Sequence, residues 1–315
     1  MEETKINSVE HFTSKLIKQF DQPIALMCPL KDNRLAIAFD KKIINIYDMS
    51  NNFNLDISID AHKDIITWVA EMENGNLLSC GNDNTIRLWS LGKNTFKNEH
   101  TIENVFTGGP KVEDQNATET NVFKVEPVSN NRIVTFSSWN TLKILSLEKP
   151  YSDKPLFEKD NVTLSYYAKD NDILITTSGD IKSTMYFYDM KTYQLKSSVD
   201  NGECFILSIE RLDENRLIFG AMNMILILNM NEYKVEKTIK NDSFDMIFAL
   251  AKFGDKSVAC GGNKGIFVID DYTKEKPEIT KNKEEIEVFQ FIEVDKETFL
   301  SAGDDKIIRE LKVKH

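Results

Sequence analysis

The chain has 315 residues, more than one compact core usually holds, so it is either two domains or a closed repeat architecture. Apolar residues make up 41% and charged residues 28%, the composition of a soluble globular chain. The formal net charge of -11 argues against a nucleic-acid or anionic-membrane partner, since both need a basic surface.

The opening run, MEETKINSVE, is acidic and lacks an apolar core, so it does not read as a signal peptide. No stretch reaches the roughly 18 apolar residues of a membrane span. The expected compartment is therefore cytoplasmic, with the nucleus open and secretion excluded. Glu2 to Lys15 is where a short helix could sit, and Lys15 to Phe20 (KLIKQF) reads as a strand. Beyond it come apolar strands at regular intervals. Taking one residue in each as an anchor gives Tyr47 (IINIYDM), Trp89 (TIRLWSL), Leu145 (TLKILSL), Tyr188 (MYFYDM), Leu228 (ILILNM), Ile269 (IFVIDD) and Leu311 (IIRELKV). The steps are 42, 56, 43, 40, 41 and 42 residues. Upstream of six of the anchors, two shorter strands flank a polar turn, such as Asp32-Asn33-Arg34, Asn74-Gly75-Asn76 or Asn130-Asn131-Arg132. No segment after residue 15 keeps a helical period through two turns, so the chain reads as all-β.

The best-formed unit is 60–91, DAHKDIITWVAEMENGNLLSCGNDNTIRLWSL. It carries His62, Ser79 seventeen residues on, Asp83 in the next turn and Trp89 at the end of the third strand. These residues, with the period near 40 to 45, resemble the WD40-repeat β-propeller family. Ala61 stands in place of the family's Gly, and Ser90 replaces the Asp of its Trp-Asp signature. The last unit keeps Ser301 and Asp305, but Leu311 replaces Trp and Glu284 falls where His would. Elsewhere the position of Asp83 falls on residues such as Lys41, Trp139 and Asn263. The resemblance implies a structural tetrad in His62, Ser79, Asp83 and Trp89, joined by hydrogen bonds that lock strand register. It also implies a single domain over 1–315: a seven-bladed β-propeller of four-stranded antiparallel blades. On spacing alone, another seven-bladed family, or six units plus one, stays open.

Leu311 lies four residues from the end of the chain, so the outer strand of the last blade must come from elsewhere. The N-terminal strand is expected to supply it, closing the ring and covering a sheet edge. The long step after Trp89 places a surplus of about 14 residues in 105–119 (VFTGGPKVEDQNATE), a polar loop that is either functional or disordered. The fourth unit carries about two extra residues in SGDIKST.

Signs of catalysis are lacking. The four histidines (His11, His62, His100, His315) show no metal-ligand spacing, and the four cysteines (Cys28, Cys80, Cys204, Cys260) are far apart in apolar segments. There is no phosphate loop or nucleophile elbow. No catalytic residue, metal or cofactor is assigned. The remaining reading is a non-catalytic scaffold that binds a partner protein or peptide on its top face. That face gathers the connections leading into the inner strands. Counting from Asp83, it includes Asp64 and Asn82 in blade two, Gln22 and Asp40 in blade one, Phe244 and Met246 in blade six, and Ile286 and Asp304 in blade seven. Phe244 and Ile286 are the expected exposed anchors, whereas the apolarity shared by Ile24, Ile66, Val122, Met246 and Val288 favours inner-strand core. Carboxylates beside apolar residues suit a partner with apolar anchors and basic flanks. Two alternatives stay open: a small-ligand binder or hydrolase with its site in the central channel, and a structural subunit of a large cytoskeletal or ciliary assembly.

Overall fold

The computed structural model describes residues 6–7, 12–39, 42–106, 121–129, 131–138, 140–152, 154–178, 183–202, 204–281, 287–295, 298–303 and 305–313. Among them the strands form seven sheets, each with four antiparallel strands; five sheets run from inner to outer strand in chain order, and two also take a strand from the N-terminal segment. Among the described residues the helical element is a single 3₁₀ turn, Lys169–Asn171.

The chain falls into two compact units, 24–162 and 163–315 together with 1–23. The first holds blades one to three, with inner strands Leu26–Pro29, Ile66–Glu71 and Val122–Val128 and outer strands Asn54–Asp60, Phe96–Ile102 and Phe157–Lys159. The second holds blades four to seven, with inner strands Val162–Ala168, Ile206–Arg211, Ile247–Phe253 and Val288–Asp295.

All seven anchors fall in the third strand of a blade, opposite one register position of the second strand. Tyr47 faces Leu35, Trp89 faces Leu77, Leu145 faces Ile133 and Tyr188 faces Leu174. Leu228 faces Leu217, Ile269 faces Val258 and Leu311 faces Phe299. Every anchor is buried. The middle strands are near-continuous apolar runs because packing covers both their faces: Leu35 to Ala38, Ile225 to Leu228 and Ile266 to Ile269 are all buried. Within the first unit, one core layer joins Ile44, Ile46 and Ile59 to Ile66, Leu77 and Trp89. Within the second, Ile218, Ile225 and Ile227 meet Phe244, Leu250 and Phe267. Each such side chain contributes roughly 1.5–3 kcal/mol by leaving water.

Polar residues set the punctuation. Asn33, Asn84, Asn131 and Asn223 take positive φ, which asparagine tolerates better than most residues. In blades one, four and five the residue after the anchor turns the chain into the outer strand. Asp48, Asp189 and Asn229 each accept a backbone N–H two residues on, at 2.8, 2.9 and 2.9 Å. Five inner strands carry a bulge just after their first residue, at 66/68, 122/124, 206/208, 247/249 and 288/290.

The N-terminal strand runs from Phe12 to Gln19, three residues earlier than the sequence suggests, and pairs antiparallel with Ile307–Val313 to complete blade seven. Where a helix could have sat, Ile6–Asn7 instead pairs parallel with Ile279 and Thr280, adding a fifth strand to blade six. An extended segment gains ladder hydrogen bonds on that open edge that a helix of so few residues would not offset. The surplus loop also differs at its start. Val105 and Phe106 are buried between blades two and three, where Asn84 holds the Phe106 backbone through both its amide atoms, at 2.8 and 3.1 Å. The rest of 105–119 lies outside the described residues, as do Gly179 to Lys182 of the extra residues in blade four.

Candidate functional site

The four tetrad positions meet inside blade two. Trp89 Nε1–H donates to Ser79 Oγ at 2.9 Å, Ser79 Oγ lies 2.7 Å from His62 Nε2, and His62 Nδ1 lies 2.9 Å from Asp83 Oδ1. One tautomer satisfies the chain: Nδ1–H donates to Asp83, leaving Nε2 to accept the serine hydroxyl. Asp83 also accepts the Lys63 backbone N–H at 2.9 Å and the Thr85 hydroxyl at 2.8 Å. Burial pushes the Asp83 carboxyl up, but hydrogen bonds from His62, Lys63 and Thr85 outweigh it and hold the group far below the usual carboxylate range. Gly81 beside them has no room for a side chain, since a Cβ there would meet Ile65 O at 2.6 Å and His62 Nδ1 at 3.3 Å.

Ser79, His62 and Asp83 thus have the connectivity and spacing of a nucleophile–base–acid relay. Access decides against that chemistry. Ser79 is 0% exposed, His62 is buried, and the indole N–H occupies the serine oxygen where a substrate carbon would have to approach. In blade seven the half-motif has another partner: Asp305 pairs with Arg309 and accepts the Ile307 N–H. The thiols are equally closed. All four cysteines are buried, and burial pushes Cys28 and Cys80 up to about 12.

The expected top-face residues separate into three groups. Gln22, Asp64 and Met246 are half-buried just before their inner strands, and Asn82 is half-buried just after the second strand of blade two, at the same end. Asp64 Oδ1 accepts the Ile65 N–H at 2.7 Å, and the Asn82 N–H donates to Ile65 O at 2.9 Å. Asp40, Ile286 and Asp304 lie outside the described residues. Phe244 is a correction. It is 0% exposed and packs edge-on against Phe267 at 5.3 Å, so it is core and not an exposed anchor.

The cause is register. In blade two Cys80 pairs with Ile86 across the strand-two turn, whereas in blade six Gly261 pairs with Ile266. That turn is one residue shorter, so counting back from Asn263 slips by one. Asp245, Ile247 and Asn263, not Phe244, Met246 and Gly262, are the equivalents of Asp64, Ile66 and Asn82. Ile24, Ile66, Val122 and Val288 are buried as core, while Met246 stays half-buried.

Other apolar residues face solvent here, either one step from the positions counted or in blade five, which was not counted. In the first unit they are Ile65 and Phe123; in the second they are Phe205 at 45% and Met222 at 48% exposed. Met222 and Met246 are joined by an isolated antiparallel bridge, and the Asn223 N–H donates to Asp245 O at 2.8 Å. Phe205 follows the position of Asp64 in blade five and Met222 takes that of Asn82. Counting blade five by strand register would have found them.

Residues 54–90 match the family model "WD domain, G-beta repeat". Protein tipD of Dictyostelium discoideum is 21% identical over 225 residues, 67% of this chain and 33% of tipD. The WD repeat-containing protein 89 homolog of the same organism is 45% identical over 58 residues, 18% of this chain and 16% of that protein. The chain thus spans a third or less of either curated relative's length. Among solved structures, the WD40 beta propeller domain of Doa1 superposes with a TM-score of 0.69 at 11% identity, covering 96% of this chain and 98% of that one. This likeness concerns the fold alone.

Proposed function

Because the chain is a WD40-repeat β-propeller protein, we propose that it is a non-catalytic scaffold that holds a partner protein or peptide at the leading ends of its inner strands. The observation that carries this reading is the placement of large apolar side chains there. Exposed Phe205 and Met222 and half-buried Met246 lie there in one unit, with Asp245 next to Met246 in the chain, and exposed Ile65 and Phe123 lie there in the other, with Asp64 next to Ile65. Exposed aromatic and methionine side chains on a rigid sheet are the kind of group that carries binding energy. The neighbouring carboxylates and the net charge of -11 favour basic flanks on the partner. The burial of the Ser79–His62–Asp83 relay supports a role without catalysis. In this reading residues 1–315 act as a single domain in the cytoplasm or nucleus, and the partner is a protein or peptide and not a nucleic acid.

The test is capture of partners from the native cell with the full chain and with a Phe205→Ala, Met222→Ala, Met246→Ala variant. The expected result is loss of the captured protein by tenfold or more, with a melting temperature within about 3 °C of the parent. Undiminished capture by a folded variant would refute the surface. A second reading, binding of a small ligand, is favoured by a cavity at the other end of the same strands.

A further inference from the structure

Within the unit of residues 163–315 and 1–23, the trailing ends of the inner strands of blades five, six and seven line a solvent-open cavity of about 510 Å³. Leu250, Phe291 and Phe299 give it an apolar wall, and Glu210, Lys252 and Glu293 line it with charge. Its size suits a small molecule or a long side chain.

Glu210 is the unusual group. Its Oε1 accepts the Arg211 backbone N–H at 2.7 Å, and among the described residues no cation pairs with it. The repeat contains its own control. Glu126 holds the same register place in blade three, opposite Val134 as Glu210 is opposite Ile218. There Lys124 Nζ lies 3.2 Å from the Glu126 carboxylate. At the place of Lys124, blade five has Ser208, whose hydroxyl is committed to Ile247 O at 2.8 Å.

The nearby charges do not fill the gap. Arg211 donates to Asp213 O and Glu214 O, both at 3.0 Å, and lies 3.0 Å from Asp170. Asp213 is held by Arg216 at 2.6 Å. Lys252 forms an ion pair with neither Glu210 nor Glu293, and Glu214 and Asp255 add negative charge at the rim. Burial pushes the Glu210 carboxyl up to about 7, and the charge of Glu293 adds to the rise.

We propose that this cavity binds an organic cation, an ammonium or guanidinium group on an apolar stem, with Glu210 and Glu293 meeting the charge and Leu250, Phe291 and Phe299 covering the stem. The cation supplies what Lys124 supplies to Glu126. The shared chemistry belongs either to a basic side chain of a protein partner or to a free alkylamine, and the site is separate from the leading-end surface proposed above.

Calorimetry on the full chain, with agmatine in one arm and an acetylated arginine peptide in the other, tests this at about pH 8.5 and about pH 5.5. Binding is expected at the higher pH and at least tenfold weaker at the lower, where Glu210 is protonated. Glu210→Gln should weaken binding at least tenfold and remove the pH dependence, whereas Glu126→Gln should leave it unchanged. Binding of agmatine would identify a free amine as sufficient; binding of the peptide alone would identify a partner's side chain. No heat with either probe at millimolar concentration, or equal affinity in Glu210→Gln, would overturn the site. Should Glu210→Gln fail to fold, the carboxyl resonance of Glu210 in the parent decides. Its titration midpoint must fall on adding the bound probe, and an unmoved midpoint overturns the proposal.

Discussion

At the scale of single residues, Ser79 shows how one buried hydroxyl holds a blade in register. Its oxygen joins the Trp89 indole to the His62 ring across two strands and the loop that precedes them. Removing it leaves an indole N–H and an imidazole nitrogen buried without partners, and each such orphan costs about 1–3 kcal/mol. Ser79→Ala should therefore lower stability by about 2–4 kcal/mol, read by urea unfolding, while partner capture by the folded fraction is unchanged. Asp83 gives the same network a pH dependence. Its folded pKa lies below the ordinary 3.8. Its stabilisation is therefore full above that value and is lost as pH falls through the folded value. Asp83→Asn should accordingly be less stable than the parent at about pH 7, with the gap closing toward about pH 2. A gap constant with pH would show that the carboxylate charge contributes nothing. The tetrad was legible in the sequence because it depends on residue identity at fixed offsets. The exposed Phe205 and Met222 were less so, since exposure depends on which neighbour covers a side chain.

At the scale of elements, the period of the anchors carried most of the information. Seven buried third-strand residues opposite one register position follow from alternation within strands and near-constant turn lengths. The same reasoning failed in blade six, where a turn one residue shorter placed Phe244 in the core. A single-residue slip reverses the face of every residue counted from it, and only the pairing reveals it. The strand Phe12–Gln19 is a long-range element whose partner, Ile307–Val313, lies at the far end of the chain. Deleting residues 1–20 leaves that partner as an open edge beside the core layer containing Leu311 and Phe299. The truncated protein should melt at least about 5 °C lower, less cooperatively, and aggregate at concentrations where the parent does not. A truncation that melts like the parent would show that the strand does not support blade seven.

At the scale of the whole molecule, the proposed single domain makes a direct prediction. Residues 24–162 and the remainder should unfold in one transition, with fluorescence and far-ultraviolet circular dichroism giving coincident curves in denaturant. Two separated transitions would show that the units are independent domains. The acidic balance has its own consequence. Association with a basic-flanked partner should slow as salt rises from about 50 to 500 mM, with a smaller change in dissociation.

The sequence by itself determined the seven-blade pattern, the anchor register and the tetrad, because these rest on local alternation, turn residues and polar identities at fixed spacing. The apolar pattern of the N-terminal run also pointed to a strand there, and the structure pairs Phe12–Gln19 with Ile307–Val313. The tertiary structure alone decided which neighbours each side chain meets. It buried Phe244, exposed Phe205 and Met222, moved Ile6–Asn7 onto the edge of blade six, and left Glu210 beside a cavity without the lysine that its repeat counterpart has. Each of these depends on contacts between strands distant in the chain. Burial, exposure and charge compensation are properties of such contacts, and no spacing along a single strand encodes them.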